Sequence, residues 1–223
     1  MKTSNLILTI FVASFFFVSA VGFTLGKFYP PEEHTTNFDV EGEKLESFSV
    51  IVSQGVRFNI SLADSNYFEY NKPILSNNDI DLSILPSIEV RNDTCFVSLT
   101  GPGNPAYIRL YAKSLKAVNL GKDASMFANR VNFDSLSVRS LGGEINFDNN
   151  VTIDYLNFET EGKGTANLGN VRHLYISGDG TNIHASGANL VEGNLKNGAQ
   201  LHLIKSNPKL DFHMDDTSKI YIQ

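Results

Sequence analysis

From Leu115 onward one phrase returns every 17 to 21 residues: a short alternating strand, a turn carrying glycine or asparagine, and a second alternating strand. The first strand reads Leu115-Lys-Ala117, Leu136-Ser-Val138, Leu156-Asn-Phe158 and Leu174-Tyr-Ile176. The second reads Ile145-Asn-Phe147, Ala166-Asn-Leu168, Ile183-His-Ala185, Leu201-His-Leu203 and Ile220-Tyr-Ile222. Between them stand Gly142-Gly143, Gly162-Lys163-Gly164, Gly178-Asp179-Gly180 and Asn197-Gly198. A fixed period of this length means stacked supersecondary units, none of which can bury its apolar face alone.

Alternate residues of a strand point to opposite sides. Leu136, Val138 and Ile183 therefore point inward, while Ser137 and Arg139 point out. A third strand shows in some coils, as Val131-Asn132-Phe133 and Val151-Thr152-Ile153. Three short strands per coil, with glycine and asparagine at corners that need positive φ, describe a parallel β-helix. The 23 asparagines, 14 of them after Leu115, suit such corners and stacked amide ladders. The general preference of parallel crossovers makes the helix right-handed. Five to six coils at roughly 4.8 Å each predict a stack about 25 Å tall. Ahead of the coils, strict alternation over Phe48–Val52 and Val56–Ile60 around Gln54-Gly55 predicts an antiparallel hairpin. A second hairpin is expected from Ile88 and Val90 through Asn92-Asp93 to Cys95, Val97 and Leu99. These hairpins should cap the N-terminal end of an all-β domain spanning 38–223.

The first 26 residues are of another kind. Between Lys2 and Lys27 there is no charge, and Leu6 to Leu25 is almost continuously apolar, long enough to cross a bilayer as a helix. Val18-Ser19-Ala20 also offers the small residues of a signal-peptidase site. Transmembrane anchor and cleaved signal peptide both remain open. Either places the domain outside the cytoplasm, in the cell envelope or secreted. No cysteine lies near the leader, which excludes a lipoprotein. Residues 27–37, with Pro30-Pro31 and two glutamates, read as a stiff spacer.

A formal charge of −6 with scattered Lys and Arg argues against nucleic acid as a partner. The lone Cys95, in an apolar run, allows no intramolecular disulfide and reads as a buried small hydrophobe. The leader, the N-terminal strands and the Gly-turned coils together resemble the head GIN domain family, auto-transporter adhesin-like envelope proteins common in Bacteroidetes. The likeness covers roughly Asp39 to Gln223. It rests on Phe48-Ser-Val50-Ile-Val52-Ser-Gln-Gly55-Val56-Arg-Phe58-Asn-Ile60 and on Ile108-Arg-Leu110-Tyr-Ala-Lys-Ser-Leu115. Where family members usually carry Gly-Ser-Gly turns, this chain has Leu141-Gly142-Gly143, Gly162-Lys163-Gly164 and Gly178-Asp179-Gly180, which marks a divergent member. The resemblance implies an exported single-domain β-helix and no defined activity.

Few residues suggest chemistry. Asp215-Asp216 is the one adjacent acidic pair among the coils and reads as corner solvation. Arg139 and Glu159 fall at equivalent outward places in consecutive coils and predict a surface ion pair. No nucleophile elbow, zinc-protease motif or phosphate loop is present, and no cofactor is expected. Aligning the second strands places Asn146, Asn167, His184, His202 and Tyr221 outward in one column. Histidines one coil apart are close enough to share a metal or clamp a sugar hydroxyl, although no third ligand is evident; a plain polar ladder is the alternative. His173 and His213 are expected at corners or the surface, and His34 in the spacer. These features predict a non-catalytic envelope module that binds glycan or protein. A polysaccharide-acting β-helix enzyme and a self-associating scaffold are the rivals. The C-terminal strand edge is the expected place for a second copy to dock.

Overall fold

The computed structural model describes residues 38–73, 86–99 and 108–223. All are strand, turn or corner, and no helix occurs among them. The leader over 1–26, the spacer over 27–37 with His34, and the glycine–proline break over 101–105 lie outside the described residues. Among the described residues no helix is long and apolar enough to cross a membrane.

Two parallel ladders carry the fold. The first runs through β6 (Thr94–Leu99), β2 (Val50–Ser53) and β8 (Ala117–Leu120). It continues through the later parts of β10 (Asn132–Ser140), β11 (Glu144–Thr160) and β12 (Thr165–Asp179), then β14 (Leu190–Lys196) and β16 (Lys209–Met214). The second ladder runs through β7 (Ile108–Ala112), β3 (Arg57–Leu62), β9 (Ser125–Ala128) and the opening residues of β11 and β12. It ends in β13 (Asn182–Ser186), β15 (Gln200–Ile204) and β17 (Lys219–Ile222). The result is a β-solenoid of about six turns. The third strands form as expected: Asn132 pairs with Thr152 and Thr152 with Asn170, running on into the first-ladder strands so that β10, β11 and β12 are long and bent.

The core is the stack of inward rows. Leu136, Val138, Ile145, Phe158, Ile183 and Leu201 are at most 1% exposed. Each coil rests its apolar side on the next, which is how a short alternating strand can be buried at all. Corners between the two ladders need a left-handed residue, and Gly142, Gly162, Gly180 and Asn197 supply it at φ of 87°, 88°, 67° and 56°. Gly193 has a different task. At its φ of 136° a Cβ would point at the neighbouring coil and sit 1.8 Å from the Ile176 carbonyl oxygen, so no side chain fits there.

The N-terminal end is closed by antiparallel strands. β1 (Phe38–Lys44) pairs with β4 (Tyr67–Pro73), which pairs with β7. β5 (Pro86–Arg91) folds back on β6 as a two-residue hairpin, with Asn92 and Asp93 both at positive φ. The expected hairpin over Phe48–Ile60 does not form. β2 pairs with β6 and β8, and β3 with β7 and β9, all parallel. The two strands are opposite sides of one coil. At the intervening turn the Gln54 N–H goes to Val97 O and the Gly55 N–H to Lys122 O, in neighbouring coils. This coil, first in sequence, lies second in the stack. Cys95 is buried beside it, and burial pushes its thiol up to about 12.

Candidate functional site

Strand register alone builds the outward column. Asn146 pairs with Asn167, Asn167 with His184, His184 with His202, and His202 with Tyr221. All five are half-buried; the first four lie between buried inward neighbours, whereas Tyr221 stands between the half-buried Ile220 and the exposed Ile222. The rings are stacked: the His184 and His202 centroids are 4.6 Å apart at 12°, and those of His202 and Tyr221 are 4.6 Å apart at 13°. One coil spacing is also a ring-stacking distance, so aromatic residues in one column stack as a consequence of the ladder.

Stacking decides what the column can offer. The ring faces are spent on one another between His184 and Tyr221, and their edges are left for a ligand. Lone pairs of near-parallel imidazoles lie in parallel planes and do not converge on a shared point. This geometry does not favour a metal bridging His184 and His202. Among the described residues no three or more His, Cys, Asp or Glu side chains form a group able to hold a metal ion. Partial burial and then the neighbouring His202 hold His184 below its ordinary value of 6.5.

Beside Asn146, Asn167 and His184 runs an open groove of about 410 Å³, walled by Asp148, Asn149 and Asn150. His202 and Tyr221 extend the column beyond it. The wall exists because the corner after Phe147 is long. Phe147 and Thr152 are five residues apart, whereas their partners Leu168 and Asn170 are two apart. Asp148 accepts from the Asn150 backbone N–H and from its side-chain amide, and Asn170 donates to Asn149 O at 2.5 Å. The wall is thus tied to itself and to the next coil. This wall was not among the expected site residues. Its one signal is the 21-residue interval from Ile145 to Ala166, against 17 from Ala166 to Ile183.

Elsewhere the polar residues are mostly structural. Arg139 does stand in register with Glu159, but its ion pair is with Glu161 at 2.9 Å. Lys196 lies 3.6 Å from Asp179 beside them. Asp215 accepts from the Ser218 N–H at 2.9 Å, the Asn197 N–H at 2.6 Å, and the Thr217 N–H and hydroxyl at 3.1 and 2.9 Å. Those donors hold its carboxyl far below the usual carboxylate range. Asp215 is a corner residue, as expected. His173 is on the outer face, stacked on Tyr155 at 4.8 Å, and His213 is exposed on β16.

No protein-family model matches this chain, and no curated protein matches it. Solved structures do. One, described as "a putative adhesin from Parabacteroides merdae ATCC 43184", is 14% identical with a TM-score of 0.51, over 85% of this chain and 97% of that one. Another, described as "a putative adhesin (BF0245) from Bacteroides fragilis NCTC 9343", is 12% identical with a TM-score of 0.58, over 85% and 98%. At such identities the likeness establishes the fold, and the fold does not fix function.

Proposed function

We propose that this chain is an exported, non-catalytic envelope module of the head GIN type that binds glycan along the column of Asn146, Asn167, His184, His202 and Tyr221. The observation that carries the reading is the groove beside Asn146, Asn167 and His184, with the Asp148–Asn150 wall. Amides, a carboxylate and imidazole edges recur there at one coil spacing, a row of donors and acceptors suited to successive sugar hydroxyls. The Tyr221 hydroxyl, at the ring edge, adds a donor and an acceptor to that row. The apolar leader and the likeness to "putative adhesin" structures support an adhesin-like role on the cell surface. Elsewhere on the coils the outward carboxylates Glu161 and Asp179 are each taken up in an ion pair, with Arg139 and Lys196, as on a solvated outer face.

A glycan array probed with the full chain tests the reading, followed by titration of any hit against the double variant His184→Ala, His202→Ala. Binding should fall at least tenfold while stability stays within about 1 kcal/mol, as at other partly exposed positions. Unaltered binding by the double variant, or turnover of any polysaccharide by the wild type, overturns the proposal.

A further inference from the structure

Among the described residues, nothing covers the outer edges of β16 and β17 or part of the core row between them. Among the described residues β16 pairs only with β14, and β17 only with β15. Leu210 and Met214, in register with the buried Val191 and Leu195, are 40% and 50% exposed, and Ile222 is 52% exposed. The backbone is equally open. The N–H groups of Lys209 and Asp215 donate to Asn189 O and Leu195 O, and those of Lys219 and Gln223 to Ala199 O and Leu203 O, all in the coil before. In a parallel strand alternate residues address opposite neighbours. Leu210, Phe212 and Met214 therefore turn their N–H and C=O groups to the free side of β16, as Ile220 and Ile222 do on β17.

We infer that this face docks a second copy of the same chain, end to end about a two-fold axis, with β16 antiparallel to its copy and β17 antiparallel to its copy. Keeping inward residues on the inward side restricts the register to even offsets. Charge then selects among them. With Phe212 opposite its own copy, Asp211 faces His213 of the second copy and Lys209 faces Asp215. Moving the centre to Asp211 sets that carboxylate against itself, and moving it to His213 sets Asp211 against Asp215. In β17, where Lys219 is the one charged residue, centring the pair on Tyr221 sets Ile220 opposite Ile222. Phe212 is three residues before Asp215 and Tyr221 three after Ser218, so the two centres stand the same number of residues from the corner, as a single two-fold axis through both strands requires. A two-fold contact uses the same face on both copies and so closes on itself.

One consequence is a ring stack that continues through the contact. Tyr221 stacks on His202 with one face, and its other face meets the Tyr221 of the second copy, joining two three-ring ladders into one of six. The inference does not depend on whether the ladder binds glycan. Its test is disulfide trapping of the full chain. Paired residues of this kind have Cβ atoms about 4.5–5.5 Å apart, within reach of a disulfide after small adjustment. The native Cys95 is buried and does not interfere. Tyr221→Cys should form a covalent dimer under mild oxidation at tens of micromolar, whereas His184→Cys, two coils away, should stay monomeric. Adding Ile222→Lys or Asp211→Lys to Tyr221→Cys should reduce trapping at least tenfold. Restoring charge with Asp211→Lys and His213→Asp together should recover it. A Tyr221→Cys chain that remains monomeric, or one trapped no faster than His184→Cys, overturns the inference, as does trapping indifferent to the charge swap.

Discussion

The two ends of the solenoid share one inward pattern and have opposite fates. In the N-terminal coils Phe58 and Leu110 are 1% and 0% exposed, while in the last coil Leu210 and Met214 are 40% and 50% exposed. Each is an apolar residue at an alternating position of a parallel strand. What differs is the neighbour beyond. β1, β4 and β5 add antiparallel strands over the first coils, and none of the described residues lies beyond the last one. Alternation fixes the direction a side chain takes; only the stack fixes how deep it lies.

That contrast yields the largest expected effect. Leu136→Asp and Ile183→Asp place a carboxylate where 1% and 0% of the side chain is exposed. An unpaired charge there costs several kcal/mol, much of the stability of a domain this size. Both variants should fail to fold, as read by circular dichroism and proteolysis. Leu210→Asp, in the row of Leu136 four coils on, should fold and lose only about 1 kcal/mol. Equal damage at all three positions would mean that the last coil is as buried as the middle ones. A smaller loss, about 2–4 kcal/mol, is expected for Gly193→Ala, because a methyl 1.8 Å from a backbone oxygen forces two coils apart. Denaturant unfolding of the pair Gly193→Ala and Gly162→Ala would sharpen this. Gly162 has open space around it, so its loss reflects φ alone and should be the lesser.

The strands, their inward rows and the aromatic column were legible in the sequence because a period of two within a period near 19 leaves little freedom in register. Pairing at the N-terminus was not. Gln54-Gly55 and Asn92-Asp93 both interrupt alternating runs, yet only the second closes a hairpin. A tight hairpin turn of the favoured kind needs two consecutive residues at positive φ, which Asn and Asp tolerate and Gln does not. The structure shows this: Asn92 and Asp93 are at 49° and 65°, whereas at the first site Gly55 alone is positive, at 64°. The Gln was the available clue. The groove wall was hidden for another reason. A long corner changes the interval between repeats without disturbing either strand, so Asp148–Asn150 read as spacing rather than as a surface.

Corner chemistry offers a further, smaller contrast with the capped end. Asp215 gathers four hydrogen bonds at the last corner and binds the backbone of the coil before it through Asn197. Its depressed pKa means that the folded state favours the carboxylate. The gain is present above the unfolded value near 3.8 and is lost as pH falls through the lower folded one. Asp215→Ala should lower the melting midpoint at pH 7 and lower it by less at pH 2. A midpoint lowered equally at both would show that the carboxylate's charge is irrelevant to the corner.

The smallest effect lies in the ladder, and its sign separates the two ends once more. His184 is partly buried and stacked on His202 in a groove that it shares with Asp148. Its pKa is lowered by burial first and by His202 second. A base whose pKa is lower in the folded state binds its proton more readily when the chain is unfolded. Stability is therefore full above the unfolded value near 6.5 and declines as pH falls from there through the folded value. Because His184 is only partly buried, the decline is small, and it should be gone in His184→Asn, which keeps a polar side chain in the column. Thermal melts at closely spaced pH values from 7.5 to 5, comparing the variant with wild type, isolate this contribution from the carboxylates that titrate lower. A wild type that gains stability on mild acidification through His184 would mean that Asp148 outweighs burial and His202, and that the groove is tuned to hold a cation rather than a neutral ring.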